Sequence, residues 1–524
     1  MATLIPKYDE GSTGAVNRPF NQKLAETISV KDFGAVGDGV TDDTAAIQAT
    51  ITAVFNKSSV SGGYQVGGVV YFPKGRYRIT STLTGLTDGI TIRGEPSGLD
   101  SVPLTQAASG SMIFCDNAVT GFPMFTVNDG GPITIQDIGL NGTQTVTNST
   151  CILTGTGSVN TGITQGHFSN VRFTGFSNVF VGAKMFDCSF YDCGFEYNTT
   201  CFNLIGGTYT GLGGMKFVSC IFFGGASSVF SLGSAAVLDN VVFSACIFTY
   251  DTSQTVNNDI FQVYDATLSN VAFSACNFIG YAGDICIRSL STTSAIQEIT
   301  FTACSFKTLN VLFITYSAPA GAMYDIIFNG CIFQNSNISA AYELTDLTLV
   351  GNNFKGTSIV SLTSCNNLII NSNDFAECSI NPPIVLTDVF SNLSISNNVF
   401  STAVTLIPVN ITSTYVKMIG NTSFADFSSN AIVTNVNATY TVLANDETII
   451  QTTAASVYTL PTVTSWKGRK LTIVSNFAGT VTSATSNVVG ITGGAAGTAI
   501  LAATSGKWAT LQSNGVSWII IASN

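Results

Sequence analysis

Charge is scarce in this 524-residue chain, and histidine almost absent. Only 10% of residues are charged, and the single histidine is His167. Twenty Lys and Arg face 31 Asp and Glu, for a net charge of −11 and a pI near 4.5. No basic run offers the clustered cations that phosphate backbones require, so a nucleic-acid partner is excluded. No apolar run reaches the roughly 18 residues of a membrane span, and the first residues show no charged-then-apolar export signal. A soluble protein with no membrane partner is expected. The 13 cysteines are an odd number and lie in strand-like segments. They read as reduced thiols of a protein folded in a reducing compartment, not as a disulfide framework.

What is abundant is Phe (36 residues), Gly (50 residues) and a repeated phrase: apolar, two small residues, Cys or Asn, any residue, Phe. Six copies carry Cys193, Cys220, Cys246, Cys276, Cys304 and Cys331, and three carry Asn352, Asn373 and Asn398. Successive copies are 27, 26, 30, 28, 27, 21, 21 and 25 residues apart. A period of this size marks stacked units, none able to bury its apolar face alone. Within a unit the polarity alternates with period two, as in Asn270-Val-Ala-Phe-Ser-Ala-Cys-Asn-Phe278, which is the pattern of a strand. One short strand per phrase, joined by turns, predicts an all-β fold: a right-handed parallel β-helix, wound as a single-stranded solenoid. Cys then lies on Cys as a small interior hydrophobe, and Asn on Asn can bond along the axis. A second column repeats polar then β-branched: Ser228-Val, Asp259-Ile, Asp284-Ile, Asn310-Val, Asn337-Ile and Ser358-Ile. It places Asp259 and Asp284 in register.

Residues 1–27 lack periodicity and read as an arm. Gly34, Gly37 and Gly39 supply turns. Thr41 or Asp42 caps a helix over about 43–55, whose apolar face is Ala46, Ile47, Ile51, Val54 and Phe55. This helix is expected to plug the open end of a solenoid spanning 28–437. Residues 95–185 continue it with poorer phasing. From 438 to 524 the texture changes. All three Trp lie there, among short strands at regular spacing, which predicts a C-terminal antiparallel β-sandwich.

Two segments, Val30-Lys-Asp-Phe-Gly-Ala-Val-Gly-Asp-Gly-Val-Thr-Asp-Asp-Thr44 and Gly68-Val-Val-Tyr-Phe-Pro-Lys-Gly-Arg-Tyr77, are followed by Ile92-Arg-Gly94. Together they resemble the pectate-lyase-like superfamily. With Gly14-Ala-Val, Lys23-Leu-Ala-Glu and Ser29-Val-Lys-Asp-Phe ahead of them, they are similar to bacteriophage tailspikes. The resemblance is specific over about residues 14–94. It implies a homotrimer whose N-terminal arm joins virion baseplate or tail proteins, and whose substrate is a bacterial surface polysaccharide, capsule or O-antigen. It also implies a protein of the virion tail, folded in the host cytoplasm and acting at the bacterial surface, with a trimerising or carbohydrate-binding C-terminal domain. The Asp and Gly residues of the motif are expected to do turn and cap chemistry.

The polygalacturonase set of the same fold needs a Gly-His-Gly that the lone His167, in Gln165-Gly-His-Phe, does not supply. His167 reads as structural. No metal or other cofactor is expected, because no carboxylate cluster surrounds Arg288, the only Arg between Arg172 and Arg469. Glycoside hydrolysis uses two carboxyls about 5–5.5 Å or 6.5–9.5 Å apart. Neighbouring coils about 4.8 Å apart can provide either spacing. The candidates for catalysis are Asp259, Asp284, Asp251 and Asp265. Tyr250, Tyr264, Tyr281 and Arg288 are candidate groove walls, and Trp466, beside Lys467-Gly-Arg469, a candidate sugar-stacking ring. Trp508 and Trp518 read as core. Glu196, Glu343, Asp374, Glu377 and Asp388 are the remaining acids. Endo-hydrolysis is the leading expectation. A non-cleaving adhesin of the same fold and a polysaccharide lyase are the alternatives.

Overall fold

The structure is a computed structural model. It describes residues 7–524 apart from 21–22, 24–25, 59–66, 87–88, 97–109, 117–120, 128–130, 143–148, 155–161, 207–210, 225–226, 250–258, 281–284, 292, 315–322, 380–382, 387–391, 401–415, 420, 424–430, 436–437, 443–445 and 453–454. The chain forms two compact units. The first comprises Met1–Ile369, Glu377–Phe390 and Thr405–Ile411, and the second Ile370–Ala376, Ser391–Val404 and Thr412–Asn524. The expected boundary at 438 falls inside the second unit.

The first unit is a right-handed parallel β-helix. One coil runs through strands Val237–Ser244, Ile247–Thr249 and Asp259–Val263, and the next through Thr267–Ser274, Asn277–Ile279 and Ile285–Ser289. Every pairing between them is parallel, with Phe243 on Phe273 and Phe248 on Phe278. The interior is built from three stacks of phenylalanine. Phe168, Phe190, Phe217, Phe243, Phe273, Phe301 and Phe328 stack with ring centroids 4.6–4.8 Å apart. Phe173 through Phe354 form a second stack at 4.5–5.0 Å. Phe180, Phe202, Phe230 and Phe261 form a third. Neighbouring stacks meet edge to face, as Phe243 meets Phe248 at 5.5 Å and 67°. Both geometries suit the ring quadrupole.

Corners explain the two small residues of the repeated phrase. Ser219, Ala245, Ala275, Ala303, Gly330 and Gly351, each just before the Cys or Asn, hold φ of +52° to +65°. A branched side chain is costly there, so a small residue is kept. A second left-handed column, Asn240, Asn270, Glu298, Asp325, Asp346 and Asn367, bends the longer strands; five of its six are Asn or Asp, the residues that tolerate this region best. At each corner the next residue turns a side-chain donor toward a backbone carbonyl of the coil below. Cys220, Cys246, Cys276, Cys304 and Cys331 each share one Sγ–H between two carbonyls at 3.4–3.6 Å, that of Phe190, Phe217, Phe243, Phe273 or Phe301 on the coil below and that of the residue two before the cysteine. Asn352 donates Nδ2 to Phe328 O at 3.0 Å and accepts from Cys331 N at 2.8 Å. The cysteines are therefore more than small hydrophobes: they do with a thiol what Asn does with an amide. All 13 are buried and free of disulfides.

At the N-terminal end, helix Thr44–Ser58 extends three residues past the predicted end. It buries Ile47, Ile51 and Val54, with Ala46 and Phe55 half-buried. Val54 lies so close to Gly68 that a Cβ there would meet its Cγ1 at 2.6 Å. Asp42 accepts from Thr44 N at 3.0 Å, while Thr41 bonds Asp38 instead. Buried Asp43 accepts from Val36 N at 2.7 Å and Gly37 N at 3.0 Å. Gly34, Gly37 and Gly39 all have φ between +69° and +92°. The motif carboxylates thus hold turns. Ahead of them, Lys7–Tyr8 and Arg18–Pro19 pair antiparallel.

In the second unit Asn373, Asn398 and Asn421 form the expected ladder. Asn373 N reaches Asn398 Oδ1 at 2.9 Å, and Asn398 N reaches Asn421 Oδ1 at 2.9 Å. Beyond it lie a six-stranded and a four-stranded sheet. Antiparallel pairing is present where Lys470–Ser475, Lys507–Ser513 and Trp518–Ser523 join. The earlier strands differ from the antiparallel expectation: Ala431–Asn435, Asp446–Gln451 and Lys470–Ser475 pair parallel, as do Thr439–Thr441, Ser456–Thr459 and Val481–Ser483. The chain alternates between the two sheets, so successive strands in one sheet run the same way. Its core holds Ile449, Tyr458, Trp466, Ile473 and Trp518.

Candidate functional site

The middle of the first unit brings one predicted catalytic acid, Asp259, and one predicted groove-wall residue, Arg288, together. Asp259 opens strand Asp259–Val263 and is 1% exposed. Arg288, on the next coil, donates Nε to Asp259 Oδ2 at 2.8 Å, and Gln262 donates Nε2 to the same oxygen at 2.7 Å. Gln262 and Arg288 are register partners, and the same column contains Asn203 and Ser231. Hydrogen-bonding side chains therefore follow one another up this face at the strand spacing of about 4.8 Å. Beside Asp259 lies a cavity of about 20 Å³ lined by Asn198, Cys201, Ser228 and the rings of Phe195, Phe222 and Phe248. It has room for one water.

The other candidates are placed differently. Asp259 pairs in register with Ser228 below and Ile285 above, so the column predicted through Asp259 continues into Ile285. The recurring polar-then-β-branched phrase looks the same in either register, and unequal loops hide which one is formed. Asp265 sits past the far end of the strand at φ +48°, where Ser291 Oγ and Thr293 Oγ1 donate to it and hold its carboxyl below the usual range. Five residues of extended strand keep its Cα more than about 13 Å from that of Asp259, so these two are not a hydrolytic pair. Tyr264 is 52% exposed at that same end. Asp251, Asp284, Tyr250 and Tyr281 lie outside the described residues. Trp466 corrects the expectation of a sugar-stacking ring. It is 5% exposed, with Arg469 lying 3.8 Å over its ring and Trp518 packed edge-on at 5.5 Å. The adjacent Lys-Gly-Arg loop, which suggested exposure, supplies the cation that covers it. Trp518 is core, its Nε1 donating to Pro461 O at 3.0 Å, and Trp508 is half-buried.

Of the remaining acids, Glu196 is buried and ion-paired with Arg172 at 2.8 Å. Burial pushes its pKa up against the pull of Arg172. Arg172 crosses the backbone of Gly194 to reach it; a Cβ there would meet Nη1 at 2.2 Å. Glu377 pairs with Lys355, and Asp374 accepts from Ala376 N. Asp388 lies outside the described residues, as does the side chain of Glu343. His167 is not a lone filler: Nδ1 is 3.3 Å from Ser189 Oγ, and its ring is 5.5 Å from that of Tyr191.

Parts of the chain are similar to known proteins. Residues 27–246, less than half of the chain, match the family described as rhamnogalacturonase A/epimerase, pectate lyase-like. Mannuronan C5-epimerase AlgE5 of Azotobacter vinelandii is 54% identical over 52 residues, 10% of this chain and 4% of that protein. Alginate lyase 7 of the same organism is 52% identical over 52 residues, covering 10% and 5%. The chain thus spans about a twentieth of the length of these relatives. Among solved structures, the A-module of the epimerase AlgE6 of Azotobacter vinelandii has a TM-score of 0.46 at 14% identity, covering 76% of this chain and all of that one. Tailspike protein 3 of bacteriophage CBA120 has a TM-score of 0.40 at 13% identity, covering 99% and 73%.

Proposed function

We propose that the protein is a phage tailspike, assembled as a homotrimer and joined to the virion by its N-terminal arm. It binds a bacterial surface polysaccharide along the outer face of its solenoid and hydrolyses it internally, with Asp259 at the centre of the site. The observation that carries the reading is the buried Asp259–Arg288 pair. Buried ion pairs add little net stability, and Ser228 and Ile285 at the same register positions show that stacking there needs no charge. The outward ladder of Asn203, Ser231, Gln262 and Arg288 gives a sugar chain lying along the axis a polar group at every coil. Asp259 lies beneath the outward Gln262 and Arg288 that bond it, so its role as base or nucleophile requires these two side chains to part when substrate binds. The general acid is then Asp284, which directly precedes the register partner of Asp259, or Asp251. The tailspike, trimer and virion assignments rest on the resemblance of residues 14–94.

The family match, and relatives named as an epimerase and a lyase, favour a second reading in which the bond is broken by elimination. One experiment separates the outcomes. Purified protein is incubated with host capsule or O-antigen, and both fragment size and ultraviolet-absorbing unsaturated ends are followed. Hydrolysis gives shorter fragments without unsaturated ends, and elimination gives shorter fragments with them. Binding without shortening establishes the adhesin. Asp259→Asn is expected to lower cleavage by about 10²–10⁴-fold while circular dichroism is unchanged. Wild-type cleavage by a folded Asp259→Asn protein refutes the site.

A further inference from the structure

A second outward face, on a different strand of the coils and ending one to two coils below Asp259, carries a different set of groups. Register alone builds it. Tyr71 pairs with Arg93, Arg93 with Gln136, Gln136 with Ser169 and Ser169 with Tyr191. The adjoining column runs Thr91, Thr134, His167, Ser189 and Lys216. These residues alternate with the buried Val70, Ile92, Ile135, Phe168 and Phe190, so they point away from the core. Each end of the face repeats one arrangement. The Arg93 guanidinium lies 5.5 Å from the centre of the Tyr71 ring, and Lys216 Nζ lies 5.8 Å from that of Tyr191. Tyr71 is fixed by donating its hydroxyl to Glu95, and Tyr191 by the His167 ring against it. Between the two tyrosines, four coil steps or about 19 Å apart, the face offers amide and hydroxyl groups.

We propose that this face binds an extended anionic oligosaccharide of about four sugar units, without cleaving it. The tyrosine rings hold the two cations at the ends of the strip. Arg93 and Lys216 take the carboxylates of the terminal sugars, and Gln136, Ser169 and Ser189 take hydroxyls in between. In a chain of net charge −11, two cations held on aromatic rings at the ends of a polar strip select an anionic ligand. The inference deepens the proposed function, resting on it only for the class of ligand.

The test is calorimetric titration of the full chain with tetrasaccharides of mannuronate, guluronate and galacturonate, and with uncharged mannotetraose. Saturable binding of at least one uronate tetramer is expected, with mannotetraose at least about tenfold weaker, or 1.4 kcal/mol. Tyr71→Ala, Tyr191→Ala and the surface change Lys216→Gln are each expected to weaken uronate binding about tenfold. Lys216→Gln keeps the test decisive if a tyrosine variant fails to fold. Absence of binding to all three uronates, or wild-type affinity in Lys216→Gln, overturns the proposal. The readout is binding and not turnover, so inactivity of Asp259→Asn with these affinities intact separates this face from the proposed catalytic one.

Discussion

The cysteine rungs and the asparagine rungs occupy one position of the repeat and perform one task with different means. From Cys220 to Cys331 a thiol donates weakly to the carbonyl of the coil below, in a region where the phenylalanine stacks are unbroken. At Asn352, and again at Asn398, a side-chain amide donates to such a carbonyl and also accepts a backbone N–H. The steps between rungs shorten to 21 residues as asparagine takes over. A thiol suffices where the rings hold the coils together. An amide, which satisfies two backbone groups instead of one, is used where the steps between rungs are shorter.

Three measurements test that contrast. The largest effect is expected from Cys246→Lys, which places an unpaired charge among buried rings; such a cost exceeds the stability of most domains, and no folded protein should be recovered. Asn352→Leu comes next. It leaves Phe328 O and Cys331 N without their partner, at about 1–3 kcal/mol for each buried group, seen as a lowered denaturation midpoint. Cys246→Ser should cost about 1 kcal/mol or less, because the hydroxyl donates to Phe217 O in place of the thiol. Equal losses in Asn352→Leu and Cys246→Ser would show that the two rungs are not energetically different. The cysteines themselves should resist alkylation until the protein unfolds, since burial pushes the Cys115 and Cys188 thiols up to about 12. Ready labelling of native protein would break the interior assignment.

Interior columns were legible because stacking imposes the same residue at the same phase in every coil. Phe243, Phe273 and Phe301, or Cys246, Cys276 and Cys304, announce themselves whatever the loops between them do. Outward columns have no such constraint. Tyr71, Arg93, Gln136, Ser169 and Tyr191 share no chemistry that repeats, and the coils from 95 to 185 differ too much in length to be phased by eye. The register that sets Ile285 above Asp259 was hidden for the same reason. The left-handed corners were half legible: smallness before Cys220, Cys246, Cys276, Cys304 and Cys331 was visible, with Asp192 before Cys193 the exception, but its cause is a backbone angle. Trp466 was misread because sequence adjacency to Lys467 and Arg469 does not say on which side of the ring the guanidinium lies.

The identity of Ala245 and Ala275, two small corner residues each followed by a cysteine, has a consequence for descent. Excising Cys246 to Ala275 would join Ala245 to Cys276 and reproduce the same corner, thiol and ring sequence, one layer shorter. Duplicating the segment would lengthen the stack by the same step. Such a protein can change its reach in increments of about 4.8 Å without inventing a new core, leaving its outer surface free to diverge with whatever it meets.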